Sequence, residues 1–359
     1  MKAELPNRIY SGKWGKCHCQ GAAIDTKSGH VYFSFTTKLV KTDLKGNVIG
    51  TVDNIKGHLG CISFNPDDGR IYASLEYKND SIGRGILKSI GQSDKTLKDA
   101  FYIAVFDGDK IDKPCMDAEK GGVMRTCFMH KVTRDYLGKS KYGGREYPHA
   151  HGCSGIDGLA IGPDFGSEDK KKFIFLCYGI YGDIEREDND YQVIHKFDPE
   201  VVYAYSKEQQ GPDMHTSGPE SPLDEYFVYT GNTEWGIQNL EYDPYTGLYF
   251  AFVYKGKKPR FSNNSLYCID GAVKPVYTEL CGKDMKGKTL TLKHIGSDGN
   301  AGIDHPGQMG AISLGGGEFY IAYPDHKDIN DLAVTLVKER FINTEYPNKF
   351  ITLGEEDVQ

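Results

Sequence analysis

The feature that most constrains this chain is one unit written five times: a polar lead-in, a short apolar strand, a tight turn and a second strand rich in aromatics. It runs from Gln20 through Asp25-Thr-Lys-Ser-Gly29 into Val31-Tyr-Phe-Ser-Phe35, and from Gly60 through Asn65-Pro-Asp-Asp-Gly69 into Ile71-Tyr-Ala-Ser-Leu75. A third copy runs from Asp157 to Gly166 and, after a charged insertion, reaches Phe173-Ile-Phe-Leu176. The fourth goes from Gln238 through Asp243-Pro-Tyr-Thr-Gly247 into Leu248-Tyr-Phe-Ala-Phe252, and the fifth from Gln308 through Gly315-Gly-Gly317 into Phe319-Tyr-Ile-Ala322. A strand–turn–strand module of this kind cannot bury its apolar face alone, so it stacks on copies of itself.

Most units continue. A third strand ends in an Asp-centred turn at Asp43, Asp107, Asp198 and Asp270, where Asp supplies local hydrogen bonds. A fourth strand follows at 48–52, 124–129, 226–229, and either 276–279 or 290–294. Four antiparallel strands per unit and almost no helical periodicity predict an all-β fold, a five-bladed β-propeller. A sixth blade would require a degenerate repeat within 101–132, which lacks the Pro-x-x-Gly hairpin. The whole chain reads as one domain, with blades at approximately 15–57, 58–146, 147–230, 231–300 and 301–359, and 1–14 helping to close the ring. The surplus over a minimal blade falls in loops such as 83–98, 112–122, 183–190 and 207–224.

Composition narrows the partners. The 43 basic and 50 acidic residues leave a net charge of −7, with no basic stripe, which argues against nucleic acid. Apolar runs such as Phe173-Ile-Phe-Leu-Cys-Tyr178 are far shorter than the roughly 20 residues of a membrane-spanning helix. The first residues, Met1-Lys-Ala-Glu-Leu-Pro6, lack an apolar signal core. Several of the nine cysteines (Cys61, Cys177, Cys268) lie within strands, where a thiol behaves as a small hydrophobe. These features predict reduced thiols and a cytoplasmic protein.

The Asn65-Pro-Asp-Asp-Gly69 and Asp243-Pro-Tyr-Thr-Gly247 turns resemble those of gluconolactonase/regucalcin-like and related bacterial propellers. The resemblance covers nearly the whole chain and implies the architecture. A shared hairpin carries no activity.

Propeller geometry places residues just before each inner strand, and just after each second strand, around one mouth of the axis. Before the inner strands stand His18 and Gln20, His58, His149 with His151 and Asp157, Glu234 with Trp235 and Gln238, and His305 with Gln308. After the second strands stand Glu76, Lys78, Asp80, Asp325 and His326. Six of the eleven histidines fall in these zones, more than turn chemistry requires. One reading is a divalent metal (manganese, zinc, iron or calcium) held by His58, His149, His151 and His305, since neutral imidazoles suit such ions. His149 and His151 have strand spacing, which puts both rings on one side of an extended segment. The ligand chemistry is similar to that of metal-dependent propeller lyases acting on uronates. The plainer reading is that these imidazoles hydrogen-bond backbone at blade junctions.

The carboxylates suggest a second chemistry. Glu76, Asp157 and Glu234 come from three units and could act as acid and base on a sugar, as in the glycoside hydrolases that use this scaffold. Trp235 would offer a pyranose a stacking face, while His18, Gln20, Gln238, Gln308 and Asp325 would bind it. The opposing reading pairs Glu76 with Lys78 as a satisfied charge. The sequence therefore predicts a pocket for a small, sugar-like ligand, leaning to a metal-assisted hydrolase or lyase. A carboxylate-based glycoside hydrolase and a non-catalytic propeller that binds a sugar or a protein are the alternatives. The hairpin turns of the opposite face read as purely structural.

Overall fold

Five sheets of four or more strands surround a central axis in a computed structural model that describes residues 4–209, 214–325 and 331–354. Each inner strand runs along the axis and pairs antiparallel with the next strand outward: Cys19–Asp25 with His30–Phe35, His58–Asn65 with Arg70–Tyr77, and Cys153–Pro163 with Lys172–Ile180. The fourth and fifth blades repeat this with Glu234–Asp243 on Leu248–Tyr254 and Ala311–Gly315 on Glu318–Pro324.

The repeated turns explain the repeated hairpins. Asp25, Asn65 and Asp243 each accept a hydrogen bond from a backbone N–H two or three residues on. Gly29, Gly69 and Gly247 then donate back to the carbonyls of Asp25, Asn65 and Asp243 at 2.8–2.9 Å. These glycines have φ of 70–73°, which a side chain would disfavour.

Five apolar clusters hold the ring, one at each junction between neighbouring blades. Tyr32, Leu39 and Val52 meet Ile71 and Tyr102, while Tyr72 and Phe101 meet Ile156 and Leu176. Phe175 and Ile194 meet Ile237 and Tyr249, and Phe250 and Phe252 meet Phe319 and Ile321. Phe33 and Val40 meet Tyr320 and Leu336 to close the circle. Each fully buried Phe or Tyr contributes about 1.5–3 kcal/mol by leaving water, so every junction is stabilised by several such rings. Both ends of the chain join the fifth blade: Arg8–Tyr10 and Lys349–Thr352 each pair with Val334–Ile342. The 101–132 segment supplies the two outer strands of the second blade, Ala100–Asp107 and Met124–Phe128, so there is no sixth blade.

Two local expectations change. Val276–Glu279 does not finish the fourth blade; it pairs with Lys286–Thr289, which adds in parallel to Asp224–Tyr229 of the third. The fourth blade ends on Leu292–Lys293, within the alternative expected at 290–294, and on the short strand Gly302–Ile303. The 83–98 loop contains part of a helix, Ser81–Ser89, whose first turn is capped by the Asp80 carboxylate accepting from Gly83 N–H, with Ile86 and Leu87 buried. No helix among the described residues is long and apolar enough to cross a membrane. All nine cysteines are free.

The axis is not an open pore. Asn239 donates to the carbonyls of Gln20 (3.2 Å) and Gln308 (2.6 Å) and accepts from the Cys61 thiol. Cys61 Sγ also lies 3.3 Å from the Leu159 carbonyl. One buried amide and one buried thiol thereby tie four inner strands to one another and to the segment that leads into the fifth.

Candidate functional site

Register shifts in the inner strands create the mouth. The pairing skips a residue at Gln20 in the first blade, at Gly60 and Cys61 in the second, at Asp157 and Gly158 in the third, and at Gln238 in the fourth. A bulge of this kind breaks the ladder and re-aims a side chain, and here it frees Gln20, Asp157 and Gln238 from strict alternation.

The group this assembles is Glu76, Asp157, His58, Lys78 and Gln238. Glu76, at the end of a second strand, is 6% exposed. Its Oε1 accepts from Lys78 Nζ at 2.7 Å and its Oε2 from Ile156 N–H at 3.2 Å. The chain makes room for it with Gly155, at φ 136°, where a methyl group would overlap Oε2. Asp157 Oδ2 accepts from Gln238 Nε2 at 3.1 Å, and Gln238 also donates to the Trp235 carbonyl. His58 Nδ1 lies 3.9 Å from Glu76 Oε1 and 3.9 Å from Asp157 Oδ1, too far to bond either, and has no hydrogen-bond partner among the described residues.

Burial drives Asp157 and His58 in opposite directions. Burial, reinforced by the Glu76 charge, pushes the Asp157 carboxyl up to about 8, against the opposing pull of Lys78 and Gln238. Burial moves His58 the other way: it holds the imidazole below its usual range despite the neighbouring Glu76 charge. At neutral pH Asp157 carries a proton and His58 has a free lone pair.

Around this centre the rim is aromatic and polar. Trp235 is 39% exposed and Tyr254 is 43% exposed. The Trp235 ring stands edge-on to Tyr181, 6.0 Å between centroids. His18 is exposed. Gln20 Nε2 lies 3.5 Å from Thr36 Oγ1. Gln308 is occupied structurally: Nε2 donates to the Val253 carbonyl at 2.9 Å. Glu234 is ion-paired to Lys257 at 3.1 Å. Asp325 is exposed and lines a shallow hollow on the fifth blade with Arg8 and Glu339. His326 lies outside the described residues.

The four histidines predicted to share an ion do not converge; no three of them bring donor atoms within 4.8 Å of one another. His149 and His151 sit in a tight turn with φ of 61° and 59°, so the extended geometry that would align their rings is absent. His149 Nδ1 bonds the Tyr136 carbonyl. His151 is buried edge-on to Phe227 and accepts from Lys283 Nζ at 3.1 Å. Burial, with the Lys283 charge, lowers it to about 3. His305 pairs with Glu339 at 2.9 Å and stacks on Phe350. Of these three, only His149 meets a backbone carbonyl as the plainer reading expected; His151 and His305 are held by the side chains of Lys283 and Glu339.

A different triad has metal-like spacing. Donor atoms of Asp135, His195 and Glu225 lie within 4.8 Å of one another, a grouping that sequence spacing does not reveal. One imidazole and two carboxylates suit zinc, manganese or iron, but fall short of the six to eight oxygens of calcium. Lys131 Nζ already bonds Asp135 Oδ2 at 2.5 Å and lies 3.3 Å from Glu225 Oε2, and Tyr178 donates to Asp135. The chain's own ammonium therefore fills the cation position, and an ion fits only if Lys131 withdraws.

No family model matches the sequence, and no curated protein matches it. Among solved structures the chain is similar to a GH43 endo-arabinanase from Bacillus licheniformis, at 11% identity and TM-score 0.43, over 93% of this chain and 98% of that one. It is also similar to regucalcin, a calcium-binding protein from Agrobacterium tumefaciens, at 10% identity and TM-score 0.34, over 94% and 96%. Hydrazine synthase from Kuenenia stuttgartiensis matches at 12% identity and TM-score 0.33, over 100% of this chain and 69% of that one. The class defined by fold and site is a five-bladed β-propeller with a buried acid–imidazole centre at its axial mouth. The chemistry rests on this chain's own residues.

Proposed function

We propose that the axial mouth is an acid–base site that hydrolyses a C–O bond in a small, carbohydrate-like ligand. The observation that carries this is the Asp157–His58 pair: a carboxyl oxygen 3.9 Å from an imidazole nitrogen that has no hydrogen-bond partner among the described residues. Groups whose surroundings drive their pKa values to opposite sides of neutrality are suited to act as acid and base. Asp157 gives its proton to the leaving oxygen as the C–O bond breaks. Water forms the new bond to carbon and passes a proton to His58 Nδ1, and transfer from His58 back to Asp157 resets the pair. Glu76 and Lys78 form a fixed ion pair beside them, and Gln238 holds the Asp157 oxygen that does not face His58. The exposed Trp235 and Tyr254 rings supply apolar faces of the kind on which a pyranose stacks.

The test follows hydrolysis of a panel of nitrophenyl glycosides and sugar lactones from about pH 5 to about pH 10. Turnover should fall above about pH 8 as Asp157 ionises, and Asp157→Asn should lose at least about 100-fold. Equal turnover by Asp157→Asn would remove the acid. Saturable sugar binding with no turnover would leave a carbohydrate-binding propeller.

The metal-assisted reading rests on the Asp135–His195–Glu225 geometry rather than on the scattered histidines. Elemental analysis of protein purified without chelators decides it. Stoichiometric zinc, manganese or iron that disappears in His195→Gln supports the ion; metal-free wild type together with metal uptake only in Lys131→Ala identifies Lys131 as its replacement.

A further inference from the structure

A sizeable cavity lies away from the carboxylate–imidazole centre. Beside Glu76 and His58, toward the helix Ser81–Ser89, there is a void of about 10 Å³, room for no more than a single water. At the opposite end of the axis, among the hairpin turns, opens a cavity of about 760 Å³, within the size range of small-molecule sites. Inner strands of the first, second, fourth and fifth blades form its walls. Asn239 and Cys61 cross the axis and separate the two ends.

The lining has one chemical character. Three carboxyl groups contribute to it, Glu241 within the channel and Asp25 and Asp109 toward the rim, against a single basic side chain, Lys27. Aromatic rings complete the lining: Tyr242, and the parallel-stacked pair Tyr32 and Phe64 at 6.2 Å. Glu241 Oε1 accepts from Ser313 N–H at 2.8 Å, while its second oxygen takes no hydrogen bond from the described residues. Carboxylates beside aromatic faces form the environment in which an organic cation is held by charge and by ring quadrupoles together. Carboxyl groups outnumber the one basic side chain, so the lining suits a cation better than an anion.

We propose that this turn-face cavity is a second ligand site, for a small organic ammonium ion whose charge is met by Glu241. Burial and the nearby Asp243 raise the Glu241 carboxyl to about 8, so a cation that draws it into ionised form releases a proton on binding. Affinity should therefore rise as the pH approaches 8 from below.

The test uses n-butylammonium, with 1-butanol as a neutral counterpart of similar size, titrated into the full chain by calorimetry and ligand-observed NMR. Saturable binding of the ammonium, at least about tenfold tighter than the alcohol, is expected. It should weaken at least about tenfold in Glu241→Gln and remain unchanged in Asp157→Asn, which alters only the other end of the axis. Equal binding of the alcohol, equal binding by Glu241→Gln, or no binding at millimolar ammonium would overturn the proposal. Should Glu241→Gln fail to fold, Asp109→Asn on the exposed rim should still weaken the ammonium about twofold and leave the alcohol unaffected; no change there would equally overturn it.

Discussion

The thiol of Cys61 in the second blade donates to Asn239 Oδ1 in the fourth at 3.1 Å, across the axis of the propeller. The two blades are not neighbours, so this bond, with the amide's bonds to the Gln20 and Gln308 carbonyls, fixes the ring's diameter as well as its closure. Burial pushes the Cys61 thiol up to about 12, which keeps it a neutral donor. A buried network of this kind stabilises only when every member is satisfied.

Replacing Asn239 should therefore be costly. Asn239→Ala leaves two partly buried carbonyls without this donor and should lose about 2–4 kcal/mol. Asn239→Asp should lose at least as much, because a carboxylate cannot donate to carbonyls. Urea unfolding measures both; a loss below about 1 kcal/mol in either would show that the axis is not held this way.

Gly155 and Glu76 should behave as one unit. Gly155→Ala places a methyl on Glu76 Oε2 at a φ unfavourable for any side chain, and should destabilise the fold by about 2–4 kcal/mol. In Glu76→Ala the obstruction is gone, so adding Gly155→Ala should cost markedly less than it does alone. Thermal melts of the two single variants and the double variant provide the cycle; strict additivity would contradict the contact.

Asp157 should trade stability for chemistry. Its folded pKa of about 8 lies above the 3.8 of an unperturbed carboxyl, so the folded state binds more protons between those values. Its contribution to stability is full below about 3.8 and is lost as the pH rises through 8. Asp157→Asn removes that loss. Denaturation at about pH 9 should find the variant more stable than wild type by about 1–3 kcal/mol, with the difference vanishing near pH 4. A variant less stable than wild type at both pH values would contradict the buried, protonated acid.

His151 predicts the opposite limb. Burial and Lys283 hold it at about 3 in the fold, against 6.5 when unperturbed, so the unfolded chain binds more protons in between. Its contribution is complete above about 6.5 and is lost, at up to about 1.4 kcal/mol per pH unit, as the pH falls toward 3. His151→Gln retains an acceptor for Lys283 Nζ and cannot charge. Its stability should fall less steeply than that of wild type over this interval, as measured by melting temperature against pH. Parallel curves would place the imidazole in water.

The residues named for the site from sequence divide by how local their geometry is. Glu76, His58, Asp157 and Gln238 were legible because each lies within a few residues of a recognisable strand end, and strand direction then assigns it to the mouth. Asn239 and Glu241 were passed over in the same inner strand, which reads as an ordinary hairpin partner. Nothing local distinguishes a polar residue facing the axis from one facing a neighbouring blade. His149 and His151 misled for a related reason: a two-residue spacing aligns rings only in extended backbone, and a turn of positive φ replaces it here. Val276–Glu279 has the composition of a fourth strand, yet its partner lies in the preceding blade.

By itself the sequence determined the hairpins, the Asp/Asn–Gly turns, the count of five units and the aromatic strands that pack between them. These follow from φ preferences, short-range hydrogen bonds and strand alternation, all written within about a dozen residues. The tertiary structure alone decided which polar groups meet: the bulges that turn Asp157 and Gln238 to the mouth, the lock between Asn239 and Cys61, and the Lys131 ammonium between Asp135 and Glu225. Those depend on register and on contacts between blades far apart in the chain, where a shift of one residue sends a side chain to the other face.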